Sequence, residues 1–256
     1  MKIKKRYPFP SIENMVYERL DNVLEGSVTY SFFYGEKPCG HLVLNSPIAK
    51  IVAAYRLIQR DLNSAYSGIE CLIDLMEKSI HDGIELRDNE DVEFVVQKSL
   101  FQAAVITYGK CFADASGGKG KSKGKPRGVK LEKKIVKGLP PSQIETHDYL
   151  IRTRNNYIAH GGITNQEQSL CYVIVSPKNK IMSNVLTMEA HAATASIERL
   201  KSILELIKNI QTSLREMQIK KSEIISRVEL PKFTDEEIRR NSVSSLKLFN
   251  LGDRNN

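Results

Sequence analysis

The stretch LIRTRNNYIAHGG, residues 150–162, puts Arg154, Asn155 and His160 within seven positions of each other. Arginine grips phosphate or carboxylate with a planar fork of two parallel hydrogen bonds. Histidine exchanges protons near neutral pH. The stretch reads as the end of a helix stopped by Gly161, and Arg154 falls on an apolar stripe formed by Ile144, Ile151 and Ile158. A guanidinium there needs an anion, either a carboxylate of the protein or a phosphate brought by a ligand. His160 is six residues further on. At about 100° per residue it sits about 120° around the helix from Arg154 and about 9 Å along the axis. The two side chains therefore converge only across an interface, or where the helix frays at Gly161. His160 also lies in the last turn, where the helix dipole favours a protonated ring. His147 and Asp148, nearly two turns before Arg154, read either as supporting groups for such a site or as a surface pair on the helix.

Nine basic side chains and one acid, Glu132, lie between Gly117 and Lys137, so this segment alone carries a formal +8, the whole net charge of the chain. A concentrated basic patch suits a polyanion, and it equally suits a solubilising loop. Lys119, Lys121, Lys123, Lys125, Arg127 and Lys130, separated by glycine, serine and proline, are the candidate RNA-binding residues. Within it, ASGGKGKS (115–122) satisfies a permissive phosphate-loop pattern. That motif needs a strand before it and a helix beginning at its Lys-Ser, so that backbone amides and the helix dipole meet the phosphates. Here a helix leads in and KGKPRG follows, so the match is set aside.

RNNYIAH resembles the Arg-x4–6-His signature of the HEPN superfamily, with Arg154, the polar Asn155, a gap of five and His160. The resemblance extends over about residues 46–226, where ITYGKCFADA, a basic loop and THDYLIRTRNNYIAHGG follow in the order of a bacterial subgroup. It implies a mainly α, HEPN-like helical bundle. It also implies a metal-independent endoribonuclease of toxin–antitoxin or phage-defence systems, with no cofactor, that pairs as a homodimer so that two Arg–His sets share a cleft. Arg154 would hold the phosphate, His160 would move protons and Asn155 would position groups. The partners would be RNA and an antitoxin or other protein; the alternative is a non-catalytic HEPN-type binding or dimerisation module. GGITNQE follows His160, so the tyrosine that some relatives carry there for nucleotidyl modification is missing.

The elements that must position these residues are mostly helical. Ser46-Pro47 starts a helix whose apolar stripe runs from Ile48 to Ile80. A second spans about 91–113, and a third opens at PPSQIE with Ser142 and Glu145 as a capping box. A last one covers about 188–226. SIENMVYERLDNVLEG has helical spacing and predicts a short helix. Hairpins are expected over 27–44 and around the Pro-Lys-Asn of LCYVIVSPKNKIMSNVL. The expected fold class is thus mainly α with two small β-hairpins. It divides into an N-terminal helix and hairpin (1–45), a helical domain (46–230) with a flexible loop (116–130), and a polar tail (231–256). Cys39, Cys71, Cys111 and Cys171 are too dispersed for a zinc site. The absence of a secretory leader or long apolar run predicts a cytoplasmic protein that does not cross a membrane.

Overall fold

The computed structural model describes residues 2–8, 13–22, 27–82, 92–112, 131, 133–158, 167–177, 182–183, 185–192 and 194–249. The chain forms two compact units, one from residues 1–50 and 222–256 and the other from 51–221.

The first unit is built on an antiparallel sheet, which corrects the mainly α expectation: the fold is mixed α/β. Its strands are β1 (Lys2–Pro8), β2 (Met15–Asn22), β3 (Ser27–Tyr34) and β4 (Lys37–Cys39), hydrogen-bonded in that order. The region expected to be a short helix is β2. Over so few residues MVYERLDN carries both helical and alternating spacings, and long-range pairing decides between them. Tyr17 lies opposite Tyr7 on one side and Phe32 on the other, with ring centroids 5.2 and 5.9 Å away. Asn14 also stands at φ 60°, in the left-handed region, where a right-handed helix cannot pass but asparagine is tolerated. The Gly35 amide, itself at φ 59°, donates to the Asn14 carbonyl at 2.8 Å and closes this end of the β2–β3 pair.

Near the C-terminus, β9 (Leu246–Phe249) pairs with β3 and joins this sheet, while β8 (Ser242–Val243) pairs with β5 (His41–Leu42) as a separate two-stranded sheet. Directly before β8, α6 (Asp235–Asn241) is capped by Thr234, whose hydroxyl accepts from the Glu237 amide while the Glu237 carboxylate accepts from the Thr234 amide.

The second unit is helical around one apolar core. α1 (Pro47–His81) begins where the capping serine predicts, with the Ala49 amide donating to Ser46 Oγ at 3.0 Å. α2 spans Val92–Lys110, α3 Lys133–Lys137, α4 Pro141–Arg152 and α5 Ile197–Ile224. Leu62, Ile69 and Leu72 of α1, Phe101, Val105 and Tyr108 of α2, and Leu200, Ile203 and Ile207 of α5 are buried in a common cluster with Leu131, Ile135 and Leu150. α5 starts well after residue 188 because Leu186–His191 form β7, which pairs with β6 (Glu167–Tyr172) as the second hairpin. Among the described residues, no helix is long and apolar enough to cross a membrane.

Candidate functional site

α4 carries the candidate site, and it is not capped as its sequence suggests. Pro140 and Pro141 occupy the N-cap and first helical positions, and no side chain caps the end. Proline supplies a fixed helical φ and has no amide to satisfy, which places Ser142 inside the helix. The Ser142 carbonyl accepts from Thr146 Oγ1 at 2.9 Å, and Glu145 instead meets Arg199 at 3.5 Å.

At Thr153 the α-helix gives way to a π-helical turn, Thr153–Ile158, which contains Arg154, Asn155 and Asn156. Such i→i+5 turns shift the residues that follow them relative to α-helical spacing, and they concentrate at functional sites. The angular estimate for His160, which assumed an unbroken α-helix, therefore does not hold. His160 itself lies outside the described residues, as do Lys119, Lys121, Lys123, Lys125, Arg127, Lys130 and the phosphate-loop-like ASGGKGKS.

Arg154 is half-buried, and its stem lies across Gly109 of α2. A methyl group at position 109 would stand 2.2 Å from Arg154 Cδ and 3.0 Å from Nε. Only glycine leaves room for this crossing. Beyond it the guanidinium Nη1 donates to Asn155 Oδ1 at 3.1 Å. Among the described residues no carboxylate pairs with Arg154.

A cavity of about 500 Å³ opens beside this guanidinium. One wall is a single face of α4 and its π-turn: Ile144, His147, Asp148, Ile151, Arg154 and Asn155. Gly109 at the end of α2, Phe112 just beyond it, and Leu131, Val136 and Lys137 around α3 line the remainder. The cavity is thus largely apolar, with two cations, one carboxylate, an imidazole and an amide at its surface.

His147 is buried, so the reading of His147 and Asp148 as a surface pair is excluded for the histidine. Its Nδ1 shares a 2.7 Å hydrogen bond with the Tyr108 hydroxyl, and its ring meets Phe112 edge-on at 4.7 Å. Burial lowers the His147 pKa, and the nearby Asp148 carboxylate opposes that shift. Burial also raises Tyr108 well above the ordinary phenol range, with Cys111 and Asp148 adding to it. At neutral pH the pair is therefore a neutral imidazole and a neutral phenol, and the tautomer of His147 follows from which of them donates.

Among the described residues no three His, Cys, Asp or Glu side chains are grouped to hold a metal ion. The arrangement can bind an anion at Arg154 and offers a flat or apolar group the side chains of Phe112, Ile144 and Ile151. Arg154 and Asn155, singled out in the sequence, line the cavity, while Gly109, Tyr108 and Phe112 were not singled out as site residues. The one signal for Gly109 was its place inside a helix, where glycine costs about 1 kcal/mol relative to alanine. No family model, curated protein or solved structure matches the chain.

Proposed function

We propose that this protein is a metal-independent endoribonuclease that acts as a homodimer, with two Arg154–His160 sets facing one cleft. The observation that carries the reading is Arg154, held over Gly109 in the lining of a cavity with no described carboxylate as counterion. A guanidinium kept half-buried in that state is ready for a phosphate. In the reaction a ribose 2′-oxygen attacks the adjacent phosphorus and the 5′-oxygen leaves, giving a 2′,3′-cyclic phosphate and a 5′-hydroxyl end. His160 takes the 2′-hydroxyl proton or returns one to the leaving oxygen, the partner subunit's His160 doing the other. Arg154 stabilises the developing charge on the phosphate, and Asn155 orients the guanidinium.

The likeness of RNNYIAH to the HEPN signature supplies the choice of RNA and of dimer, and with them a toxin–antitoxin or phage-defence role. The basic segment around Lys119–Lys130 adds salt-sensitive, sequence-independent affinity for the backbone. Cys39, Cys71, Cys111 and Cys171 are free thiols, which supports a reducing, cytoplasmic setting.

The test is incubation of the full chain with end-labelled tRNA and mixed cellular RNA in EDTA, beside Arg154→Ala and His160→Ala. Cleavage by the wild type alone, leaving cyclic-phosphate ends, is the expected result. Equal cleavage by all three would remove these residues from the chemistry. Binding without cleavage would leave a non-catalytic RNA- or nucleotide-binding module.

A further inference from the structure

The cavity is longer than a phosphate site needs to be. Its α4 wall runs from Ile144 to Asn155, and Asp148 and Arg154 lie six residues apart on it, about 9 Å along the axis at 1.5 Å per residue. That is about the reach from a nucleotide's phosphate to the far edge of its base. Between these two positions the wall carries the apolar Ile151, and Ile144 and Phe112 add to the apolar lining. Arg154 lies near the C-terminal end of that wall and Asp148 nearer its middle, and Asp148 makes no ion pair among the described residues.

We propose that this cavity is a guanine-nucleotide subsite, in which Asp148 reads the base and Arg154 holds its phosphate. An ionised carboxylate only accepts hydrogen bonds, through two parallel oxygens. Guanine is the one RNA base whose pairing edge offers two adjacent donors, N1–H and an N2–H, which match those oxygens. Adenine, cytosine and uracil each place an acceptor beside their donor, and that acceptor would face the carboxylate unpaired. A good bidentate pair discriminates by about 1–3 kcal/mol, which converts to about fivefold to 150-fold in affinity. The base lies against Phe112 and Ile151. The proposal deepens the ribonuclease reading and rests on it for Arg154 as the phosphate anchor. In RNA the nucleotide beside the cut is then a guanosine.

The experiment measures binding of GMP, AMP, CMP and UMP to the full chain by calorimetry, for wild type and Asp148→Asn. In parallel, cut sites are mapped on single-stranded RNA of random sequence. GMP is expected to bind about tenfold or more tightly than the other three, and cuts are expected beside guanosine. Asp148→Asn, an exposed and isosteric change, should keep the thermal unfolding midpoint while losing both preferences. Equal binding of the four nucleotides overturns the proposal, and so does a GMP preference that survives in Asp148→Asn. RNA cleaved without regard to guanosine, with no GMP preference, sinks the subsite and leaves the ribonuclease. Selective, Asp148-dependent GMP binding without RNA cleavage upholds the subsite and sinks the ribonuclease.

Discussion

Replacing Gly109 by alanine adds one methyl group where the Arg154 stem crosses α2. The added carbon would stand 2.2 Å from Cδ, 3.0 Å from Nε and 3.4 Å from Cγ. No small adjustment clears a 2.2 Å approach, so either α2 shifts away from the π-turn or the arginine leaves its place. Moving the helix disturbs a core that includes Tyr108 and Val105, and overpacking of that kind costs about 1–3 kcal/mol. Swinging out a half-buried arginine costs less, because its charge regains water, and alanine adds up to about 1 kcal/mol of helix propensity. The arginine should therefore yield. Thermal stability should change by less than about 1 kcal/mol, while RNA cleavage falls by about 10²-fold or more, as when a positioned donor to a developing oxyanion is lost. Because Gly109 acts only through Arg154, Gly109→Ala should add nothing in an Arg154→Ala background. Single-turnover cleavage of labelled RNA, run beside thermal unfolding, measures all of this. Cleavage within twofold of wild type in Gly109→Ala, or full additivity of the two changes, would refute the reasoning.

Tyr108→Phe leaves the buried His147 Nδ1 without its partner and should destabilise by about 1–3 kcal/mol in urea unfolding. Because burial holds the folded-state pKa of His147 below its ordinary 6.5, the unfolded chain takes up the proton first as pH falls. The associated stability is complete above about pH 6.5 and declines as pH drops through the lowered folded value. His147→Asn should flatten that part of the pH–stability profile. Leu62→Ala, at a fully buried position of α1, should cost about 2–5 kcal/mol in unfolding of the helical unit. Truncation before Leu246 removes β9, and hydrogen exchange should then speed up at amides of Ser27–Tyr30, the β3 residues it covers.

The long helices were legible because their information is local. Ser46 caps α1, and the recurrence of apolar residues over 35 positions leaves no competing period. The sheet was not, because a strand is defined by what lies beside it. Met15–Asn22 becomes a strand by meeting Tyr7 and Phe32, and Leu246–Phe249, read as polar tail, by meeting β3. At the site, Arg154 stood out as a charge on an apolar stripe. Its support did not, since Gly109 and Arg154 are joined only by the packing of α2 against the π-turn. The capping box failed for a local reason: two prolines just upstream moved the helix start.

The pairing of Ser27 with Phe249 spans 222 positions, and it sets an order of events during synthesis. At about 5–20 residues per second, β3 waits roughly 10–45 s for the strand that covers its Ser27–Tyr30 edge. Every residue of the intervening helical unit leaves the ribosome in that interval, so this unit can close its core while the sheet is still incomplete. A nascent chain that has emerged to between residues 221 and 246 would hold a complete helical unit and a β-edge still unpaired. Such an unpaired edge is a template on which a second chain can pair.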